Sequence, residues 1–267
     1  MKLKTLTVVS LLFTSLAMNA SCVGKATNNI TTKDSTEVAE DNNSENADEF
    51  VKKWKAGTIV SEAQVKAVGI DNCFKAEEIS DAVFARMKGK SYKEGCPIPL
   101  SDLRYLKVLH RNKNGKIQLG EMVCNRIIAN KLLRIFRKLY DNGYKIERMV
   151  LIDDYDAVDE KSMTANNSSC FCYRNVSGTT TISKHGRGLA VDINTLYNPY
   201  VKVRDGKTHV EPEAGRPYIN NRDKRTDIPF KIDRNDLAYK VFTAEGFTWG
   251  GNWNSVKDYQ HFEYDPK

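Results

Sequence analysis

The residues best suited to chemistry lie in the stretch SKHGRGLAVDIN, residues 183–194. This stretch places His185 shortly before Asp192, and its second half alternates apolar and small residues in the manner of a β-strand. In such a strand the apolar side chains face the core, while Asp192 lies on the opposite face among small residues. A histidine and a carboxylate that converge above a small-residue surface favour a bound metal ion.

A third candidate ligand lies near the C-terminus, where His261 follows Asp258 by three residues. Two histidine nitrogens and one carboxylate oxygen match the three-ligand site of a catalytic zinc, whereas a structural zinc uses four protein ligands, usually including cysteines. From residue types alone, hydrogen-bonded polar groups on a sheet explain the pattern equally well. The remaining histidines, His110 and His209, are expected at the surface.

The elements that must position these residues begin with a small helical region, because Ser61 and Gln64 have the spacing of a capping box. A β-hairpin is predicted next, since Asn114-Gly115 lies between two alternating apolar runs. Apolar residues at helical spacing follow from 127 to 139 and end at Asn142-Gly143. The first half of the chain therefore supplies a hairpin and a helix that can pack on it.

The second half of the chain adds a strand and a second helix. YKIERMVLID, residues 144–153, predicts the strand. The helix is predicted from about Arg234 to Glu245, with Asp233 as its N-cap and Gly246 as its terminator. This order of elements predicts an α+β fold with a single, mainly antiparallel sheet and flanking helices.

The N-terminus has the features of an export signal. Residues 1–21 begin with MKLK and continue as an apolar run too short for a comfortable membrane span. The run ends in Asn19-Ala20-Ser21-Cys22, which resembles the lipobox of bacterial lipoproteins, so we expect a lipid anchor on Cys22; ordinary cleavage near Ala20 is the alternative. Residues 22–48 are polar and predict a flexible tether. The protein is therefore expected in the periplasm or at the cell surface, attached to a membrane.

Composition narrows the range of partners. The chain has 267 residues, of which 40% are hydrophobic and 28% charged, as in an ordinary globular protein. Its net charge of +7 is spread along the chain without the basic block of a nucleic-acid-binding arm, so no nucleic-acid partner is expected. We expect a monomer.

Besides Cys22 the chain carries an odd number of cysteines. For an exported protein this predicts at least one disulfide, with at least one thiol left over. The C-x-C pair at 170 and 172 is a weak zinc signal without a second cysteine pair, and packing or disulfide roles are favoured. The five cysteines are Cys73, Cys96, Cys124, Cys170 and Cys172.

Three motifs taken together resemble one enzyme family. They are S-x-H-x-x-G-x-A-x-D at 183–192, W-G-G-x-W at 249–253 and D-x-x-H-F-E at 258–263. The combination is similar to the D-alanyl-D-alanine carboxypeptidase family of zinc peptidases, which includes VanX- and VanY-like enzymes and L-alanyl-D-glutamate endopeptidases. The resemblance implies a zinc peptidase domain over residues 101–267 with the hedgehog-like fold of these peptidases. It does not cover the helical region at 49–100.

The resemblance also implies a role for each site residue. It makes His185, Asp192 and His261 the ligands of a zinc ion. It makes Asp258 the catalytic carboxylate and Arg174 the arginine that polarises the substrate. These roles agree with the chemistry of a zinc peptidase, in which a carboxylate takes a proton from water and returns it to the leaving amine.

Alternatives remain open for individual residues. Glu263, two residues after His261, competes with Asp258 for the role of base. Arg174 has the alternative of a structural salt bridge. The tryptophans Trp249 and Trp253 could line a substrate groove or belong to the core.

The expected function is therefore that of an exported zinc-dependent peptidase acting on peptidoglycan stem peptides. The C-terminal motifs are most similar to the endopeptidase branch, which implies cleavage between L-alanine and D-glutamate; D-alanyl-D-alanine carboxypeptidase activity is the runner-up. A catalytically inactive cell-wall-binding lipoprotein is a further alternative, but it would need neither Asp258 nor Arg174. A serine or cysteine hydrolase lacks a convincing pair of nucleophile and base.

Overall fold

The computed structural model describes residues 49–266, so the predicted signal (1–21), the tether (22–48) and Cys22 lie outside the described residues. The α+β class is confirmed. The helices used below are α1 (Glu62–Val68), α2 (Asp81–Met87), α3 (Arg126–Asp141), α4 (Asp159–Thr164) and α5 (Leu237–Ala244). The strands are β1 (Lys75–Glu77), β2 (Leu103–Arg111), β3 (Ile117–Asn125), β4 (Ala190–Asp192), β5 (Tyr200–Arg204), β6 (Lys207–Glu211), β7 (Thr248–Trp249), β8 (Lys257–Asp258) and β9 (His261–Glu263).

The strands pair antiparallel, as predicted, but residues 49–266 form three small sheets where a single sheet was predicted. Their orders are β1-β2-β3, β4-β9-β7 and β6-β5-β8. The sheets stay separate because the segment between β3 and β4 joins them only locally. Phe171 N donates to Val123 O at 3.0 Å, and Ser169 forms one isolated bridge with Asp192. These single contacts do not extend into a continuous ladder.

The predicted hairpin and first helix are confirmed and form the scaffold of the fold. β2 and β3 pair over nine residues each, and Gly115 in their turn has a φ of 76°, which glycine adopts without strain. Helix α3 buries one face against the hairpin through residues at helical spacing. That face comprises Ile128, Leu132, Ile135, Phe136 and Leu139.

Aromatic rings connect this scaffold to the strand that carries His261. Phe136 of α3 meets Phe242 of α5 edge to face, with ring centroids 6.4 Å apart. Phe242 in turn stacks on Phe262 of β9 at 4.3 Å. Because side chains alternate along a strand, burial of Phe262 in this stack directs His261 to the opposite face of β9.

Residues 49–100 contribute to the same core. The capping box predicted at Ser61 and Gln64 is present at the start of α1, and β1 pairs with β2. Val65 and Val68 of α1 are buried in the cluster that also contains the apolar face of α3. None of the helices between residues 49 and 266 is both long and apolar enough to cross a membrane.

The predicted strand at 144–153 is wrong. The segment makes only isolated bridges and ends in a 3₁₀ helix that begins at Ile152. Two buried asparagine side chains take several of its backbone hydrogen bonds in place of a neighbouring strand. Asn194 Oδ1 accepts from Glu147 N, and Asn167 Oδ1 accepts from Val150 N, both at 3.0 Å.

The predicted second helix exists but starts later than expected. Its N-cap is Asp236, whose Oδ1 accepts from Ala238 N at 2.8 Å, and the helix begins at Leu237. The predicted cap, Asp233, instead accepts from Asn235 N and forms a turn just before the helix.

Candidate metal centre

Two of the three candidate ligands lie directly opposite each other on neighbouring strands. β4 and β9 pair so that Asp192 faces His261, while Val191 faces Phe262 on the other side of the sheet. Side chains at such opposed positions have their Cβ atoms about 5 Å apart. Val191 and Phe262 are fully buried, so the apolar face fixes the register that brings the polar pair together.

The third candidate, His185, is held by a tight turn just before β4. Ser183 Oγ accepts from Gly186 N at 2.9 Å, so this serine orients the turn. The two glycines of the turn allow other parts of the backbone to come close. A Cβ on Gly186 would lie 2.6 Å from Arg174 O, and one on Gly188 would lie 2.7 Å from Asn125 N. A side chain at either position would therefore displace His185.

The three side chains converge at close range. His185 Nε2 lies 3.2 Å from Asp192 Oδ2 and 3.1 Å from His261 Nδ1, and His261 Nδ1 lies 3.1 Å from Asp192 Oδ1. Ligand atoms held about 2.0–2.1 Å from a tetrahedral zinc ion lie about 3.3 Å from one another. The observed spacing thus fits a zinc ion after small movements of the side chains.

The hydrogen bonds on the far side of each histidine support the same interpretation. His185 Nδ1 lies 2.7 Å from Cys170 O, and because a carbonyl only accepts, this nitrogen carries the proton. His261 Nε2 lies 3.1 Å from Glu263 Oε2 and donates to that carboxylate. When both imidazole rings are neutral, the lone pairs of His185 Nε2 and His261 Nδ1 therefore point into the cluster. This outer support is typical of histidines that bind metals.

The pKa shifts of the cluster agree with a positive charge beside Asp192. Burial alone would raise the pKa of Asp192, but the two neighbouring histidines hold it well below its usual range. Burial alone would lower the pKa of His261, but hydrogen bonds to Asp192 and Glu263 raise it to about 10. A buried carboxylate requires a compensating cation, which either a protonated histidine or a metal ion provides.

Asp258 lies beside the cluster formed by His185, Asp192 and His261. Its Oδ2 is 4.0 Å from His261 Nδ1, and its buried Oδ1 has no hydrogen-bond partner among the described residues. Burial raises the pKa of Asp258 to about 7, although the nearby His261 opposes the shift. Gly250 permits this placement, because a Cβ there would come within 2.8 Å of the Asp258 side chain.

Glu263, the competing candidate for the base, has a different environment. Its carboxylate contacts the outer nitrogen of His261, on the side away from Asp192. Asp258 lines the cavity above the cluster, and Glu263 is not among the residues that line it. The geometry therefore favours Glu263 as the carboxylate that orients His261.

Arg174 reaches the same cavity and is held by an acidic partner. Its Nε lies 3.1 Å from Asp159 Oδ2, near the start of α4, and its Nη1 donates to Cys172 O at 3.4 Å. Both Arg174 and Asp159 line the cavity. The salt bridge considered for Arg174 from sequence is thus present, and it coexists with a position at the site.

The cavity over the cluster has a volume of about 330 Å³ and contains residues that the sequence did not reveal. Gln260 directly precedes His261, whereas the others come from distant segments that no spacing pattern connects to His185 or His261. The three candidate ligands and Asp258 line it. The additional residues include Asp159, Tyr200, Glu211 and Gln260.

The two tryptophans and the two other histidines divide between core and surface. Trp249 is 4% exposed and donates from Nε1 to Tyr259 O, so it belongs to the core. Trp253 is half-buried, with its ring 5.3 Å from that of His261. His209 is exposed, as predicted. The prediction that His110 lies at the surface is wrong: His110 is buried, and its Nδ1 lies 2.8 Å from Ile146 O.

The cysteines within residues 49–266 form no disulfide, in contrast to the expectation from an export signal. Cys124, Cys170 and Cys172 are buried as free thiols. Burial raises the pKa of the Cys172 thiol to about 11, which makes it unreactive at neutral pH. Cys124 and Cys170 belong to the apolar core.

Comparison with known proteins gives one match. Residues 177–264 match the model of a family described as D-alanyl-D-alanine carboxypeptidase. The matched range contains the three ligand candidates and Asp258, while Arg174 precedes it. The match supports the family resemblance carried by the motifs and indicates a peptidase related to peptidoglycan. No curated protein and no solved structure matches the chain.

Proposed function

We propose that this chain is a zinc-dependent peptidase that hydrolyses peptidoglycan stem peptides. The observation that carries the proposal is the convergence of His185, Asp192 and His261 beside the buried, unpartnered oxygen of Asp258. Residues 177–264 match a peptidase family, and this match supports the same reaction class.

The residues present fit a zinc ion. His185 would bind it through Nε2, His261 through Nδ1 and Asp192 through its carboxylate, which leaves one tetrahedral position open. When bound, zinc supplies a Lewis acid that polarises the peptide carbonyl and makes water more acidic. The outer hydrogen bonds to Cys170 O and Glu263 keep both rings in the tautomer that this binding requires.

Asp258 is the proposed general base and acid. Asp258 lines the cavity, its buried Oδ1 has no hydrogen-bond partner among the described residues, and its carboxylate can accept a proton from the attacking water. It can then return that proton to the amine that leaves. A carboxylate with a pKa near neutrality can perform both transfers, and burial raises the pKa of Asp258 in this direction.

Arg174 is the proposed anchor for the substrate. Asp159 contacts its Nε, and both residues line the cavity. A guanidinium in this position can donate to a substrate carboxylate or to the developing oxyanion.

We further propose that the bond cleaved lies between L-alanine and D-glutamate. The experiment is to incubate a defined pentapeptide stem with the zinc-loaded protein and identify the products by mass spectrometry. We expect fragments from cleavage after L-alanine. Release of D-alanine with an intact L-alanyl-D-glutamate bond would assign the carboxypeptidase activity instead, and an intact pentapeptide would contradict both activities.

We also propose that the protein is exported and attached to the membrane through a lipid on Cys22, as the N-terminal sequence indicates. The substitution Cys22→Ala removes the acylated residue, so we expect the protein to move from the membrane fraction to the soluble fraction on cell fractionation. The matched control is Cys96→Ala, which leaves the proposed anchor intact. A Cys22→Ala protein that stays in the membrane fraction would require a different anchor.

A further inference from the structure

An exposed basic hairpin rises from the edge of the cavity. It consists of β5, β6 and the turn between them, residues 200–211. We propose that this basic hairpin binds the carboxylates of an extended acidic peptide, namely the part of the substrate that continues beyond the cleaved bond. The inference rests on the proposed function and adds a specificity-determining surface to it.

The two strands place their charged residues on one face. In the register of β5 with β6, Lys202 lies opposite His209 and Arg204 lies opposite Lys207. Because side chains alternate along a strand, these four residues share a face with Tyr200. The opposite face is apolar at its base, where Val210 is buried.

Like charges directly opposite each other destabilise a sheet. All four of these residues are exposed. The contacts within residues 49–266 give no carboxylate partner for Lys202 or Lys207, and Arg204 contacts only its neighbour Asp205, at 3.5 Å. A strand pair that concentrates positive charge in this way, without internal compensation, is suited to a ligand that brings its own negative charge.

The basic face is continuous with the catalytic cavity. At the base of the hairpin Tyr200 pairs with both Glu211 and Asp258, and all three residues line the cavity. A strand rises about 3.3 Å per residue, so the face extends about 13 Å from Tyr200 to Arg204. That length matches about four residues of an extended peptide whose cleaved bond lies at Asp258.

The charge of the face changes sign along the hairpin. Glu211 makes its base acidic, whereas Lys202, Arg204 and Lys207 make its outer part basic. A peptide with free carboxylates is therefore repelled at the base and attracted at the outer part. This gradient would orient an acidic peptide with its carboxylates along the hairpin and its cleaved bond over the metal centre.

The test compares two double variants. The first, Lys202→Gln with Lys207→Gln, removes two charges from the basic hairpin. The control, Lys66→Gln with Lys138→Gln, removes two exposed charges from α1 and α3, which do not line the cavity. The probes are a synthetic stem peptide with free carboxylates and the same peptide with its carboxylates amidated. We measure kcat/KM for both peptides, and we measure their Kd by fluorescence anisotropy in an Asp258→Asn background, where cleavage does not interfere.

We expect the hairpin variant to bind the acidic peptide about five- to twentyfold more weakly, the effect of losing two exposed ion pairs. Its affinity for the amidated peptide and the affinities of the control variant should stay within about twofold of the parent values. The loss should diminish at high salt, because screening already weakens exposed pairs.

Three outcomes would overturn the inference: an unchanged Kd for the acidic peptide, an equal loss for both peptides, or an equal loss in the control variant. Unchanged peptide binding with weaker binding to vesicles of anionic phospholipid would assign the surface to a membrane instead. Failure of the proposed function is recognised separately, since the parent protein would then cleave neither peptide while the Kd comparison still tests the hairpin.

Discussion

Asp192→Asn is expected to remove the bound zinc and with it the hydrolysis of stem peptides. Asp192 contributes the only carboxylate among the three converging ligands, and it lies between the two histidines at 3.1–3.2 Å. Replacing it with a neutral amide removes a negative charge that the cation requires. Loss of an outer partner of a ligand typically costs about 10–100-fold in metal affinity, so we expect at least about 100-fold for the ligand itself.

The measurements are zinc per chain by elemental analysis, zinc affinity by competition with a chelator, and hydrolysis of a defined stem peptide. The parent protein should hold one zinc ion per chain and lose activity with chelators. The control is Glu78→Gln, which neutralises an exposed carboxylate that lines neither the cavity nor the basic hairpin. Active parent protein without zinc, or an Asp192→Asn protein that retains both zinc and activity, would contradict the assignment of the metal centre.

The elements of the fold that could be predicted are those in which local pattern and tertiary packing agree. The hairpin turn at Asn114-Gly115 requires positive φ, and Gly115 has it. The apolar residues of α3 have helical spacing because one face packs on the hairpin. Patterns of this kind depend on the local environment of each residue, so the sequence alone is sufficient to predict the turn and the helix.

Elements that depend on long-range side-chain contacts could not be predicted. The segment 144–153 has the composition of a strand, but several of its backbone hydrogen bonds go to the side chains of Asn167 and Asn194. His110 lies in a hairpin strand, and its burial depends on the position of Ile146. Nothing within a short window of sequence contains these contacts.

The residues of the candidate site divide in the same way: some could be predicted from local sequence, and others depend on long-range contacts. His185, Asp192 and His261 could be identified because motif and residue type both point to a metal, and the structure brings the three together. Asp159 could not be connected with Arg174, because their contact depends on how α4 packs against the segment that follows it. Glu211 could not be identified either, since only the register of β5 with β6 brings it to the cavity.

Asp258→Asn is expected to keep the zinc ion but to slow hydrolysis by about 10²–10⁴-fold, the usual contribution of acid–base catalysis. Asparagine has nearly the same shape, and Asp258 is not one of the three converging ligands. The ionised carboxylate of Asp258 is unfavourable in its buried position, as its raised pKa shows, so a neutral amide should leave the Tm unchanged. The predicted loss is therefore in kcat, with zinc content and stability retained.

Glu263→Gln is the matched comparison, because it also replaces a carboxylate near His261 with an amide. Since Glu263 accepts the hydrogen bond from His261 Nε2, its substitution should weaken zinc binding by about 10–100-fold and should be rescued by added zinc. Asp258→Asn should not be rescued by zinc at any concentration, because the missing group is the one that transfers the proton. Near-normal turnover in Asp258→Asn, together with a zinc-insensitive loss in Glu263→Gln, would transfer the role of base to Glu263. The two carboxylates are thus distinguished by what zinc can restore: it compensates for a weakened ligand, but not for a missing proton acceptor.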